Sequence, residues 1–314
     1  MSEPTDPTRS TGPSGPAPRP RDSVAALDGE PTVVSVSDVH GRRDRFESAL
    51  LTLADHPDHE SLVDRDADGD LRWAGNDYVL VCNGDLVNHG PDSDGTLGLL
   101  RRLREAAPPR RVRYHLGNHE CLLLFRDVAP DEGTDPYWSD RASPVELSRF
   151  HEEALAGHLA VAYAGHRFDY VHAGSAEAID PAALNDAFSH AVERLAAAHG
   201  TDRAADAQRE TFVAHPRLFS PTRTGLPAPF DAHPDVTGVV WRWAEHLPES
   251  APRQVVGHSP HERPTRRGDV IHQDTIRENV GSPGGECVVV ETPDSVRALV
   301  RTGDGGVRKV ALDR

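Results

Sequence analysis

Asp38 and His40 in SDVHG (Ser37–Gly41), Asp85 in NGD (Asn83–Asp85), Asn118 in GNHE (Gly117–Glu120), His172 in VHAG (Val171–Gly174) and His258 in GHSP (Gly257–Pro260) each follow an apolar, strand-like run. A single Asp-x-His carries little weight, but five Asp/Asn/His stations in series carry a good deal. Together they supply carboxylate, amide oxygen and imidazole donors, enough to hold two metal ions side by side. That mixture suits Mn, Fe, Zn or Co better than an all-oxygen calcium cage. Asp85, entering after its own Gly84, is a carboxylate that can bridge two cations. Two ions about 3.5–4 Å apart lower the pKa of a bridging water and clamp both oxygens of an in-line displacement, which is the chemistry of phosphoryl hydrolysis. His119, next to Asn118, would sit beside the same ions, where an imidazole can protonate a leaving alkoxide near neutral pH. The chain has 18 His, and any one of them is more often a surface or core residue than a ligand. His115, His151, His158, His190, His199 and His272 are read as structural. Coincidence of the whole set is below about one in twenty, given the usual risk of motif matching.

Positioning these side chains requires strands. Thr32–Asp38 (TVVSVSD) is β-branched, and side chains two apart on a strand share a face, so Asp38 and His40 can reach one ion together. Gly41 then lets the backbone turn away. Tyr78–Cys82 (YVLVC) and Arg111–Leu116 read as further strands. Leu159–Ala164 and Arg167–Val171 read as a hairpin around Gly165-His166. Gln254–Val256, Val270–His272, Cys287–Glu291, Ala298–Arg301 and Val307–Ala311 follow late in the chain. Helical spacing predicts helices over Arg43–Ala54, Thr96–Ala106, Val145–His158, Pro181–His199 and Asp202–Val213, with an apolar helical start at Glu120–Phe125. Asp180 is a ready N-cap and Pro181 a ready first helical residue. Ligands of α/β sheets gather beyond the carboxyl ends of strands, and all five motifs lie at such ends.

The remaining segments set the organisation. Residues 1–28 are rich in Pro, Ser, Thr and Gly and read as a disordered tail. Residues 29–314 read as one catalytic domain, with an acidic insertion at 55–77, a loop over the site at 129–142 and a helical insertion at about 180–235. The expected fold class is α/β (α+β). Asp64, Asp66, Asp68 and Gly69 imitate the start of a calcium loop, but the position that needs a bidentate Glu is Gly75, so a solvated acidic turn is the expectation.

Lys+Arg 34 against Asp+Glu 50 gives a net charge of -16. Such a surface repels phosphate backbones and anionic lipid, which argues against general nucleic-acid binding and against a membrane surface. A phosphate-binding site must then carry its own positive charge, and metal ions would provide it. No apolar stretch approaches the roughly 20 residues of a membrane span, and the N-terminus has no signal-peptide h-region. Cys82, Cys121 and Cys287 are too few and scattered for a disulfide framework. The expected setting is cytoplasmic.

At these motifs the chain resembles the metallophosphoesterase (calcineurin-like) superfamily, nearest its bacterial-type phosphoprotein phosphatase branch. The resemblance runs from about Thr32 to about Ala311, and LRWAGNDYVLVCNGD resembles the lead-in of the family's second motif. It implies a two-sheet β-sandwich flanked by helices. It also implies Asp38 and His40 as first-metal ligands, Asp85 as the bridge, Asn118, His172 and His258 as second-metal ligands, and His119 as catalytic acid. The implied cofactor is a pair of divalent ions, manganese ahead of iron, zinc and cobalt. One motif departs: where the family has Asp-Arg, this chain has Asn88-His89 (GDLVNHGPDS). Asn88 cannot stabilise imidazolium by charge, and His89 is a weaker phosphate ligand than a guanidinium fork. The family's second phosphate-binding arginine follows a Trp, which makes Arg242 in Trp241-Arg242-Trp243 the candidate.

The leading expectation is a serine/threonine protein phosphatase-like hydrolase acting on a phosphorylated protein or small phosphoester. Loss of the Asp-Arg pair keeps two others open: a dinucleoside polyphosphate hydrolase or nucleotidase, and a catalytically weak, partner-binding member.

Overall fold

The β-branched runs form the strands of two stacked sheets. The computed structural model describes residues 22–75, 77–129, 137–222, 229–231, 233 and 235–313. In chain order the first half comprises β1 (Thr32–Val36), α1 (Arg43–Leu50), β2 (Val63–Arg65), β3 (Leu71–Trp73), β4 (Tyr78–Cys82), α2 (Ser93–Ala106), β5 (Val112–His115), α3 (Asn118–Leu124), α4 (Trp138–Arg141) and α5 (Pro144–Leu155). The second half comprises β6 (Leu159–Ala160), β7 (Ala162–Ala164), β8 (Asp169–Val171), α6 (Pro181–Ala198), α7 (Ala204–Ala214), α8 (Pro216–Phe219), β9 (Gln254–Val256), β10 (Thr265–Arg267), β11 (Val270–His272), β12 (Cys287–Glu291), β13 (Val296–Arg301) and β14 (Val307–Ala311).

One sheet runs β14-β13-β12-β1-β4-β5-β6 and the other β10-β11-β9-β8-β7. Alternation along the strands builds two cores. Val33, Val79, Val81 and Val289 join Tyr163, Tyr170, Val255 and Ile271 between the sheets. Their neighbours Val34, Val36, Leu80, Cys82 and Val290 join Phe46 and Leu50 of α1 and Leu97 and Leu100 of α2 in the larger core. This is the expected mixed α/β sandwich flanked by helices.

The topology fixes where the motifs meet. β1, β4, β5 and β6 are parallel neighbours, so the segments after β1, β4 and β5 leave the first sheet at one edge. β8 and β9 are also parallel, so His172 and His258 leave the second sheet together. Asn83 ties the two edges. Its Nδ2 donates to Val171 O (3.1 Å) and Val255 O (3.0 Å) at the ends of β8 and β9.

Several boundaries differ from the sequence reading. β1 stops at Val36, two residues before Asp38, because the chain there leaves the extended region. The acidic insertion contains the β2–β3 hairpin, whose three-residue strands carry too little periodicity to be read. Within the expected loop 129–142, residues 130–136 lie outside the described residues, and 138–141 form α4. Of the expected tail 1–28, residues 1–21 lie outside the described residues. The remainder packs: Ser23 bridges to Ala164, Val24 is buried, and Asp22 accepts from Asn185 Nδ2 (2.7 Å). α6 begins as expected, with the Asp180 side chain accepting from Ala182 and Ala183 N–H. Among the described residues no helix is long and apolar enough to cross a membrane.

Candidate metal centre

The ligand loops are held in a conformation that L-residues seldom adopt. Of the seven described non-glycine residues with positive φ, six belong to these loops: Asp38, His40, Asp85, Asn88, His89 and His258. Left-handed backbone costs on the order of 1 kcal/mol or more per residue and persists only where the surroundings over-determine it. Here they do. Asp38 N–H donates to Gly84 O (3.0 Å), His40 N–H to Asp85 O (2.8 Å) and Gly41 N–H to Leu86 O (2.7 Å), so the loops after β1 and β4 run side by side. Glu120 clamps the next pair. Its carboxylate accepts from the N–H groups of Asp85 (2.8 Å), Leu86 (2.8 Å) and Gly117 (2.9 Å) and from Tyr114 OH (2.8 Å). Gly84 shows how close the loops lie: with φ +89°, a Cβ there would sit 2.5 Å from His172 Nδ1 and 2.9 Å from the Gly117 backbone.

All six expected ligands converge. Donor atoms of Asp38, His40 and Asp85 lie within 4.8 Å of one another, and so do those of Asp85, His172 and His258. Asp85 belongs to both groups. Asn118 Oδ1 joins the second, 2.9 Å from His258 Nδ1 and 3.2 Å from His172 Nε2. Asp38 is aimed by His258 N–H, which donates to its carboxylate at 3.0 and 3.1 Å. His172 Nδ1 donates to Asn83 O (2.9 Å), which turns Nε2 toward Asp85 Oδ2 (3.4 Å). That arrangement, a ring nitrogen fixed by a carbonyl so that the other faces a cation site, is common among metal-binding histidines. Asp38 and His40 are aligned by the left-handed turn rather than by strand alternation.

The donor set fits divalent metal. Nε2 of His40 and Nε2 of His258 are buried without a hydrogen-bond partner, which is costly unless something else satisfies them. The protonic charges are likewise those of a centre built for cations. Burial, with Asp85 beside it, raises Asp38 to about 7. Burial would raise Asp85 too, but His172, His119 and His40 hold it well below the usual carboxylate range. Burial would lower His172, yet Asp85 and Asp38 outweigh it and lift the imidazole to about 10. Burial and His172 push His258 down to about 3. A proton on His172 thus occupies the electrostatic place of a metal charge.

His119 and His89 stand over the ligands. Their rings are 4.7 Å apart and each packs edge-on against His40. His119 N–H donates to Asp85 Oδ1 (3.0 Å). Its Nδ1 meets Asn88 Nδ2 at 3.0 Å. The Asn88 amide is oriented by Ser139 N–H, which can only donate and does so to Asn88 Oδ1 (3.0 Å). Asn88 therefore presents its NH2 to His119, fixing Nδ1 as the unprotonated nitrogen and leaving Nε2 for the cavity. Burial lowers the pKa of His119, Asp85 opposing it and Arg277 adding to it. His89 is exposed at the rim, and its partial burial together with His119 and Arg277 lowers it to about 4.

A cavity of about 230 Å³ opens at this centre, and Asp85, His89, Asn118, His119, His258, Tyr137, Trp241, Trp243 and Arg277 are among its lining residues. Arg242 is not among its lining residues. Its guanidinium donates to Thr237 O (3.4 Å) and feels Glu177, while the tryptophans on either side of it reach the cavity. The sequence reading took the arginine and left the tryptophans open; the geometry reverses that. Arg277 and Tyr137 went unread, because a lone Arg after Asp-Thr-Ile and a Tyr after a Pro-rich stretch have no motif to mark them, and Glu120 was read only as the last letter of GNHE. In the acidic turn at Asp64–Gly69, Asp66 accepts from Asp68 and Asp70 N–H and pairs with Arg72 (2.5 Å).

No curated protein matches the sequence. Among solved structures, a point variant of a cold-active protein tyrosine phosphatase superposes over 90% of this chain and 81% of its own, with a TM-score of 0.58 and 19% identity. The cold-active protein tyrosine phosphatase of the psychrophile Shewanella sp. gives a TM-score of 0.55 at 19% identity, over 90% of this chain and 81% of its own. At such identities the likeness is one of fold. The sequence profile described as calcineurin-like phosphoesterase matches residues 31–288, most of the chain and all five ligand stations. With that match, and with the ligand loops converging as they do, the chain belongs to the calcineurin-like phosphoesterase family, a family of phosphoester hydrolases.

Proposed function

We propose that the protein is a two-metal phosphoesterase, manganese being its first-choice ion, that hydrolyses phosphate esters of a phosphorylated protein or a small molecule in the manner of serine/threonine protein phosphatases. The observation that carries this reading is Asp85, shared between two donor groups. Asp38, His40 and Asp85 would hold one ion, and Asp85, Asn118, His172 and His258 the other. When bound, the pair supplies Lewis-acid polarisation of the phosphoryl oxygens and a water of lowered pKa. The chain does the rest. Asn83 and Glu120 keep the loops from relaxing out of their strained conformation. His119 offers Nε2–H to the leaving oxygen. His89 adds a neutral imidazole at the rim, where it can donate a hydrogen bond but brings no charge. Residues 29–314 would form the catalytic domain, with a helical insertion at about 180–235 that includes α6–α8. Three buried, free cysteines fit a reducing, cytoplasmic setting.

A second reading, a dinucleoside polyphosphate hydrolase or nucleotidase, is favoured by the aromatic lining of the cavity. Tyr137, Trp241 and Trp243 offer aromatic faces on which a base can stack. Rates on a phosphoserine peptide and on diadenosine tetraphosphate, measured with manganese present, separate the two. The first reading expects the peptide to be the faster substrate, and preference for the dinucleotide would replace it with the second.

A further inference from the structure

Arg277 is the only Lys or Arg among the residues lining the cavity over the metal centre. It is exposed, and its positive charge is felt at His40, His89, His119 and His258. Among the described residues it makes no hydrogen bond or ion pair. The chain as a whole carries 50 acidic residues against 34 basic ones. Nearby arginines are engaged: Arg266 with Asp269, Arg301 with Asp55, and Arg45 with Glu286.

The turn that carries Arg277 is pinned on both sides. Asp274, Thr275 and Ile276 are buried. His261 N–H donates to Asp274 O (2.8 Å), and Thr275 Oγ1 donates to Gly285 O (2.6 Å). On the far side Asn279 Nδ2 donates to Glu262 O (3.0 Å) and Thr275 O (2.8 Å). A fixed backbone thus presents a guanidinium to a cavity floored by metal-ligand side chains; the buried Asp274 carboxylate feels its charge but makes no hydrogen bond to it. A phosphoryl group in that cavity carries charge on its outer oxygens, and a planar guanidinium matches them with two parallel donors. Arg242 does not reach the cavity, and His89 lacks the fork.

We propose that Arg277 grips the phosphoryl oxygens of the bound substrate, and of the phosphate product, in this site. The proposal rests on reading the cavity as a phosphoester site. It names as the binding cation a residue 35 positions beyond the arginine that the sequence pointed to.

The test uses full-length, manganese-loaded protein as wild type, Arg277→Ala and Arg277→Lys. Inorganic phosphate binding is measured by calorimetry, and KM and kcat on p-nitrophenyl phosphate. Arg277→Ala should weaken phosphate binding and raise KM by a similar factor, about 10- to 100-fold, the range of a charge-assisted hydrogen-bond pair. Metal content and melting temperature should be unchanged, since the side chain is exposed, and Arg277→Lys should recover part of the loss. Phosphate affinity and KM equal to wild type in Arg277→Ala would overturn the proposal while leaving the two-metal reading intact. If wild type turns over no phosphoester yet binds phosphate through Arg277, the grip stands and the catalytic reading fails. If wild type neither turns over phosphoester nor binds phosphate, both fall.

Discussion

At Asn88, an amide stands where the resembling family carries a carboxylate, and the exchange changes what His119 can do. Because Ser139 N–H holds Asn88 Oδ1, the amide NH2 faces Nδ1 of His119, and protonating that nitrogen would set N–H against N–H. The imidazolium form is therefore opposed by hydrogen bonding as well as by burial. Leaving groups that need little help from a proton should be handled better than alkyl esters. Asn88→Asp should restore a partner for Nδ1–H and speed hydrolysis of a phosphoserine peptide, relative to p-nitrophenyl phosphate, by about tenfold or more. Equal effects on both substrates would show that leaving-group protonation is not what Asn88 limits. Asn88 and His89 could be seen as departures in the sequence. The direction of the amide could not, because Ser139 approaches from a segment 51 residues away.

His172 makes a second prediction at this scale, for protein stripped of metal by chelation. Its folded pKa of about 10 lies above the ordinary 6.5, so the stabilisation it brings is full below about 6.5 and is lost as pH rises through 10. The depressed histidines His258 and His89 act in the opposite sense, but only below about 6.5, where the unfolded chain takes up their protons. Asp38, raised to about 7, adds a fall that is finished near neutrality. Between pH 7 and 9 the melting temperature of stripped protein should therefore decline, and His172→Asn should flatten that decline. A flat profile in the unmutated stripped protein would contradict the assigned His172–Asp85 pairing.

The elements carry the ligands through their ends rather than their bodies. Strand interiors were legible because β-branched runs such as TVVSV and YVLVC have little else to become, and the observed β4 and β12 have the predicted bounds. The turns were less so. Nothing in SDVHG announces left-handed backbone at both Asp38 and His40, and the strand was accordingly read two residues too long. The clamp on these turns is Glu120, seen in the sequence only as the fourth letter of a motif. Its carboxylate gathers three backbone N–H groups and a tyrosine hydroxyl from two separate loops. Glu120→Ala would leave these donors buried and unpaired. It should cost at least about 2 kcal/mol of stability and weaken metal retention, both measurable by denaturant titration and metal analysis. Unchanged stability would mean that the loops hold themselves.

For the molecule as a whole, the sandwich gathers the candidate metal ligands at one edge of an acidic body. The net charge of -16 works against anionic partners in general, so on the proposed reading selection of a phosphoester would fall to bound metals and to the one lining guanidinium. The two-sheet architecture came from resemblance rather than periodicity, since β6, β7, β8 and β9 are only two or three residues long. What joins the sheets at the site is Asn83, read in the sequence as a motif letter and found to bridge β8 and β9 through one amide. The convergence of the six candidate ligands was legible because their types and order survive any uncertainty about the elements between them. Trp241 and Trp243 line the cavity and Arg242 between them does not, a distinction that one residue of register decides. All of this converges on Asp85 as the carboxylate that two ions would share. The most direct measurement is metal content per chain, by mass spectrometry on purified manganese-loaded protein, for wild type and Asp85→Asn. Two ions in wild type, with loss of metal and of phosphoester hydrolysis in the variant, are predicted. A variant that keeps both ions and full activity would contradict the shared-ligand centre.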